Sequence, residues 1–204
     1  MTKIKICGIR TSQDVEYINA LLPDYAGFVF YDKSHRYVTP ETAANLRSLM
    51  DRRILSVGVF VDHSAEFIVE LVKNGTIDIV QLHGNEDDAF IETIRKMIDV
   101  PIMKAFGISN RNDFEKAILS AADIILFDNG TGGTGEQFNR IFIDKDCRPF
   151  FFAGGLDSYN VSEVVRSFHP YAVDISSGVE TDGSKDSQKM KQFIDAVRFN
   201  TEDE

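Results

Sequence analysis

The residue types able to hold an anion or move a proton fall at a few separated points of the chain. Toward its end, two apolar runs break into small residues: FFAGGLDSYNV from Phe151 to Val161, and AVDISSGVETDGSKD from Ala172 to Asp186. Gly154 and Gly155 let a backbone with φ above zero approach a ligand, while Ser176, Ser177 and Gly178 offer hydroxyls and bare N–H groups. Each break alone is equally an ordinary strand-to-helix turn, which favours glycine and serine for its own reasons. As a pair, with a helix N-terminus expected after each, they point to one phosphate pocket.

Cys7 closes the run KIKIC. A thiol there can serve as base or nucleophile once positive potential lowers its pKa, although position alone favours a small buried hydrophobe. Asp128 stands where IILF meets the loop DNGTGGTG. Partial desolvation there would raise a carboxyl toward use as an acid, and a turn-forming aspartate is the alternative. Gly130, Gly132, Gly133 and Gly135 in that loop suit a moving cover or a close approach to ligand. Arg36, in KSHRYVTP, is either a clamp for a substrate carboxylate or a solvated loop cation. His83, in QLHGNED, fits a hydrogen-bonded strand end as well as a catalytic or substrate contact, and Asp62 follows a third apolar run. No His, Cys, Asp and Glu spacing matches a metal centre, so no metal is expected.

These residues gain a common location if the elements around them form one repeat. β-rich runs begin at Ile4, Ala26, Ile54, Ile77, Pro101, Asp123, Pro149 and Tyr171, roughly two dozen residues apart, with amphipathic helical patterns between them. The runs are nearly continuous in apolar character, as strands of a parallel sheet buried on both faces are. Thr11 with Asp14, and Thr39-Pro40-Glu41, read as helix starts. Phe67, Ile68, Leu71 and Val72 make one core-facing stripe. Phe90, Ile91, Ile94, Met97 and Ile98 make a second, and Val161, Val164, Val165 and Phe168 a third. The sixth unit, FNRIFIDKDC from Phe138 to Cys147, has room for only a short helix. Eight β–α units predict a single-domain (β/α)₈ barrel over residues 1–200, with TEDE at 201–204 as a disordered tail. An open doubly wound sheet would be expected to carry GxGxxG after its first strand, which is absent. In the barrel, Cys7, Arg36, Asp62, His83, Asp128 and the phosphate stretch all fall at strand C-terminal ends.

The net charge of −10 disfavours nucleic acid and anionic membrane as partners. An anionic substrate must then be met by local positive potential, from a placed arginine or helix N-termini. The two cysteines lie far apart and the start MTKIKICGIR lacks a secretory pattern. Reduced thiols, a cytoplasmic setting and complete ends are expected.

The motifs KICGI, GFVF, SHRYV, VGVFV, QLHGNE, DNGTGGTGEQF, FAGGL and VDISSGVETDGSKD resemble those of phosphoribosylanthranilate isomerases of tryptophan biosynthesis, from Lys5 to about Phe193. That resemblance implies a (β/α)₈ barrel that works without metal or cofactor. It converts N-(5-phosphoribosyl)anthranilate to 1-(2-carboxyphenylamino)-1-deoxyribulose 5-phosphate. It implies Cys7 as general base, Asp128 as general acid, Arg36 on the substrate carboxylate, and Gly155 with the Ser176–Gly178 turn on the phosphate. A small phosphorylated substrate is then the partner, for a monomer or homodimer. Where the family often continues as GGTGKTFDW, this chain has Glu136, Gln137, Asn139 and Arg140 instead of Lys, Thr, Asp and Trp. A related isomerase of histidine biosynthesis would need a second glycine-rich phosphate turn, which VGVFVDHS lacks, and Asp in place of Cys7. An epimerase would need metal-binding His and Asp, and a silent phosphate-binding barrel would have no use for both Cys7 and Asp128.

Overall fold

A computed structural model describes residues 1–128, 144 and 147–199. Eight parallel strands close into a barrel in chain order: β1 (Lys3–Cys7), β2 (Tyr25–Val29), β3 (Leu55–Phe60), β4 (Ile79–Leu82), β5 (Ile102–Gly107), β6 (Ile124–Asp128), β7 (Phe150–Ala153) and β8 (Ala172–Ile175), with β8 pairing back onto β1. Around them lie α1 (Ser12–Leu21), α2 (Pro40–Leu49), α3 (Ala65–Lys73), α4 (Asp88–Arg95), α5 (Arg111–Ile118), α6 (Val161–Phe168) and α7 (Ser187–Arg198). All eight strands fall on the runs expected from sequence. The sixth unit and its loop glycines lie almost entirely outside the described residues, as do 200–204. No described helix is long and apolar enough to cross a membrane.

The helix starts follow their local chemistry. Thr11 accepts from Asp14 N while Asp14 bonds back to Thr11 N, a complete capping box, and Thr39 caps α2 ahead of Pro40. The second stripe is shorter than expected. α4 stops at Arg95, and Met97, beyond it, is 40% exposed. Pro101 follows closely and disfavours helical backbone at the residue before it, so the chain must turn into β5.

Alternation along the strands sorts side chains between two cores. Ile4, Ile6, Phe28, Ile125 and Phe127 join helix residues such as Ile18, Ile91 and Phe193 in an outer layer. Tyr25, Val57, Ile79, Met103, Leu126, Phe151 and Ala172 form an inner cluster containing no helix residue. By the same alternation Lys5 and Cys7, Gln81 and His83, Asp128, and Asp174 and Ser176 point inward. The N-terminal rim is tied by three aspartates that precede even-numbered strands. Asp24 accepts from Ile4 N, Asp78 from Ser56 N and Oγ, and Asp123 from Ile102 N, each at 2.8–2.9 Å.

One element was not expected. After a single 3₁₀ turn (Ser177–Val179), β9 (Glu180–Thr181) and β10 (Ser184–Lys185) form an antiparallel hairpin before α7. Asp182 and Gly183 at its tip have φ of 52° and 73°, as a type I′ turn requires.

Candidate active site

Cys7 ends β1 facing Gly27 of β2. A Cβ on Gly27 would stand 2.7 Å from the Cys7 sulfur, so only glycine leaves the thiol its place. Beneath it, Lys5 is fully buried and bonds Asp174 Oδ2 at 2.7 Å, across the register that pairs Lys5 with Asp174. Burial alone would pull the Lys5 ammonium down, but Asp174 and Cys7 outweigh it and hold the lysine charged. The other carboxylate oxygen, Asp174 Oδ1, is buried without a hydrogen-bond partner among the described residues. Burial therefore pushes Asp174 up against the pull of Lys5, with the Asp128 charge adding to the rise.

The thiol does not behave as the sequence led us to expect. Burial pushes Cys7 above its ordinary value, and Asp174 adds to this, although Lys5 and Lys185 both pull it down. Cys7 is only half-buried by its surface, yet the packing around its sulfur makes desolvation outweigh the two cations. Neither Cys7 nor Cys147 is in a disulfide.

Asp128 closes β6 and meets His83 from β4, with His83 Nε2 at 3.1 Å from Asp128 Oδ2. Gln81, also on the inner face of β4, sends its amide Nε2 to His83 Nδ1 at 3.1 Å. With the Gln81 amide turned this way, which leaves its Oε1 without a partner among the described residues, Nδ1 accepts and Nε2 carries the proton toward Asp128. Asp62 serves the scaffold instead. Its carboxylate accepts from the Asn85 backbone and side chain, joining the loops after β3 and β4.

Arg36 is not a solvated cation. Its Nε and Nη2 bond the two oxygens of Glu180 at 2.8 and 2.6 Å, and this pairing raises the guanidinium further. Among the described residues no acceptor bonds Nη1, so the free end of a fixed plane remains for an anion. Glu180 also accepts from Lys185 Nζ at 2.8 Å, and Lys185 donates to Ser176 O at 3.0 Å. Burial opposes charge on Glu180, yet Arg36 and Lys185 together hold its carboxyl down to about 2.

Gly154 and Gly155 have φ of 88° and 64° at the end of β7, and Asn160 Nδ2 fixes the Gly155 carbonyl at 2.8 Å. A Cβ on Gly178 would lie 2.1 Å from Leu156 O, so the turns after β7 and β8 touch through backbone. Ser176 Oγ is already committed to Cys7 O at 3.1 Å. The expected pair of helix N-termini is modified: after β8 the helical start is the three-residue turn at Ser177, because the hairpin intervenes before α7.

Sequence reasoning brought Cys7, His83, Asp128, Arg36 and the two turns to one rim. It missed Lys5, Gln81, Asp174, Glu180 and Lys185. The Asp182-Gly183 pair was the available signal for the hairpin, which sets Glu180 opposite Lys185. For Lys5, Gln81 and Asp174 the signal was a polar residue inside an apolar strand, two positions before a candidate or beside one.

This arrangement can be set beside known proteins. The family model described as "N-(5'phosphoribosyl)anthranilate (PRA) isomerase" matches residues 4–196. An N-(5'-phosphoribosyl)anthranilate isomerase of Endomicrobium trichonymphae is 42% identical, with 97% of this chain and 99% of that protein covered. The crystal structure of phosphoribosyl anthranilate isomerase from Thermotoga maritima is 34% identical and superimposes with a TM-score of 0.90, covering 98% of this chain and 100% of that one. A second isomerase structure, in complex with reduced 1-(o-carboxyphenylamino)-1-deoxyribulose 5-phosphate, has 34% identity and a TM-score of 0.87, with the same coverage. The match runs through every strand that carries the site, and the chain belongs to the N-(5'-phosphoribosyl)anthranilate isomerase family.

Proposed function

We propose that the chain rearranges N-(5-phosphoribosyl)anthranilate to 1-(2-carboxyphenylamino)-1-deoxyribulose 5-phosphate with Asp128 as general acid and Cys7 as general base. The observation that carries this reading is that Cys7 and Asp128 end β1 and β6 at inward-facing positions of the same rim, with His83 Nε2 3.1 Å from Asp128 Oδ2. Asp128 protonates the ribose ring oxygen as its bond to C1′ breaks and the nitrogen lone pair forms the iminium. Cys7 then takes the C2′ proton, and the C–H electrons make the enolamine that tautomerises to the ketone. As Asp128 gives up its proton it becomes an anion, and the His83 Nε2–H already directed at it stabilises the charge that develops there. This is an acid–base reaction in which both proton-transfer groups are side chains of the protein.

Arg36 takes the substrate carboxylate end-on, its plane fixed by Glu180. Gly154, Gly155 and the turn Ser176, Ser177 and Gly178 receive the phosphate through backbone N–H groups, which supplies positive potential to an acidic protein. Turnover of substrate generated in place by a phosphoribosyl transfer to anthranilate tests the reading. Conversion should require both Cys7 and Asp128, and a protein that binds the reduced product analogue without turning over substrate would refute it.

A further inference from the structure

The proposed base presents a difficulty: the Cys7 sulfur must ionise in a place where burial opposes a negative charge. Four charged side chains face it. Lys5 comes from its own strand and Asp174 from β8, while Lys185 arrives from β10 and Arg36 from the loop after β2. Lys185 and Arg36 are shared with Glu180, a carboxylate that offsets their charge. Lys5 is likewise shared, with Asp174, but differs from both in standing on the thiol's own strand. It lies two residues before Cys7 on the same inward face, is 0% exposed and bonds Asp174, and its charge favours ionisation of the thiol. A buried pair such as Lys5–Asp174 stabilises a fold no better than apolar side chains of similar volume. Stability therefore does not account for a lysine in this position.

We propose that Lys5, held from beneath by Asp174, is the positioning residue that supplies the positive charge against which the Cys7 sulfur ionises. This rests on the base role proposed for Cys7. Asp174 keeps the ammonium charged and limits where it can reach, since the bond at 2.7 Å crosses one strand pair. Among the described residues no donor competes at its Oδ1, so the bond to Lys5 is the fixed point of the arrangement.

The test is the reactivity of the thiol itself, measured on the full chain in a Cys147→Ser background so that one cysteine reports. Rates of alkylation by iodoacetamide against pH should show a half-point that moves upward in Lys5→Met, with about tenfold slower alkylation near pH 7. The acid limb of kcat should move in the same direction while KM stays close to the parent value, and Lys5→Arg should recover part of both. Should Lys5→Met fail to fold, the double variant Lys5→Met with Asp174→Asn is compared with Asp174→Asn alone, so that only the lysine differs and the same readout decides. An alkylation profile unchanged in whichever of these variants folds would overturn the proposal. The base reading fails separately, if Cys7→Ser turns over near the parent rate, and the alkylation result does not depend on that outcome.

Discussion

At the N-terminal rim Asp24, Asp78 and Asp123 each commit their oxygens to backbone N–H groups of the preceding strand. Asp78 and Asp123 add ion pairs to Arg47 and Arg95. At the C-terminal rim the scaffold carboxylate Asp62 still takes a backbone N–H, but three carboxylates of the candidate site answer to side chains: Asp128 to His83, Asp174 to Lys5, and Glu180 to Arg36 and Lys185. Backbone partners are fixed by the fold, whereas side-chain partners can turn away. The buried oxygens that lack a partner among the described residues, Asp174 Oδ1 and Gln81 Oε1, belong to residues of this second network. A barrel thus separates carboxylates that fix strand register from carboxylates whose charge is available to a reaction.

The largest effects should come from exchanging the chemistry at the mouth without changing shape. Cys7→Ser and Asp128→Asn should each lower kcat by on the order of 10²–10⁴, with thermal unfolding little changed and the reduced product analogue still bound. The parent rate should be bell-shaped in pH. A floor-like result, in which stability falls and kcat holds, would erase the division between the rims. Smaller but still marked, Gly155→Val forces a β-branched residue into a backbone with φ of 64°. Strain of roughly 1–3 kcal/mol should then distort the phosphate turn and raise KM about tenfold or more. Unaltered affinity for substrate and inorganic phosphate would put the phosphate elsewhere.

The floor gives the converse. Asp78→Ala removes the acceptor of Ser56 N and Oγ and the partner of Arg47, and should cost about 1–3 kcal/mol of stability. Its kcat should match the parent, as followed by denaturant unfolding and steady-state rates on the same preparation. A large fall in kcat would show that strand register at the floor reaches the mouth.

These contrasts also explain what could be read from the sequence. The barrel was legible because strand and helix periods are local, and the capping residues Thr11 and Thr39 announce themselves within a turn. Cys7, Asp128, Arg36 and His83 were legible because polar residues at strand ends project to one rim. Lys5 and Asp174 were not: their contact spans β1 and β8, and only closure of the barrel makes those strands neighbours. The burial that raises the Cys7 thiol was hidden for the same reason, since packing is a property of the closed fold. Asp182-Gly183 was legible in principle. Reading the whole stretch as a phosphate turn obscured the hairpin inside it.

Glu180 tests the comparison most finely, because it stands at the mouth and yet holds structure together. Its carboxyl lies at about 2, below the ordinary value near 4.3 in an unfolded chain. A carboxyl lowered on folding contributes stability that is fully present above the unfolded value and lost as pH falls through the folded one. Wild type should therefore lose stability between roughly pH 4.5 and pH 2 more steeply than Glu180→Gln, which has no charge to lose there. The difference should be about 1 kcal/mol or less once solvent screening is allowed for. Glutamine keeps one oxygen for Arg36 or Lys185 but frees the other cation, so the variant should also bind the product carboxylate through a less fixed guanidinium. If urea unfolding at a series of pH values gives parallel curves for the two proteins, Glu180 contributes nothing through its charge. Its bonds to Arg36 and Lys185 would then serve to orient the arginine alone, and the mouth would be free of pH-linked structural work at this position.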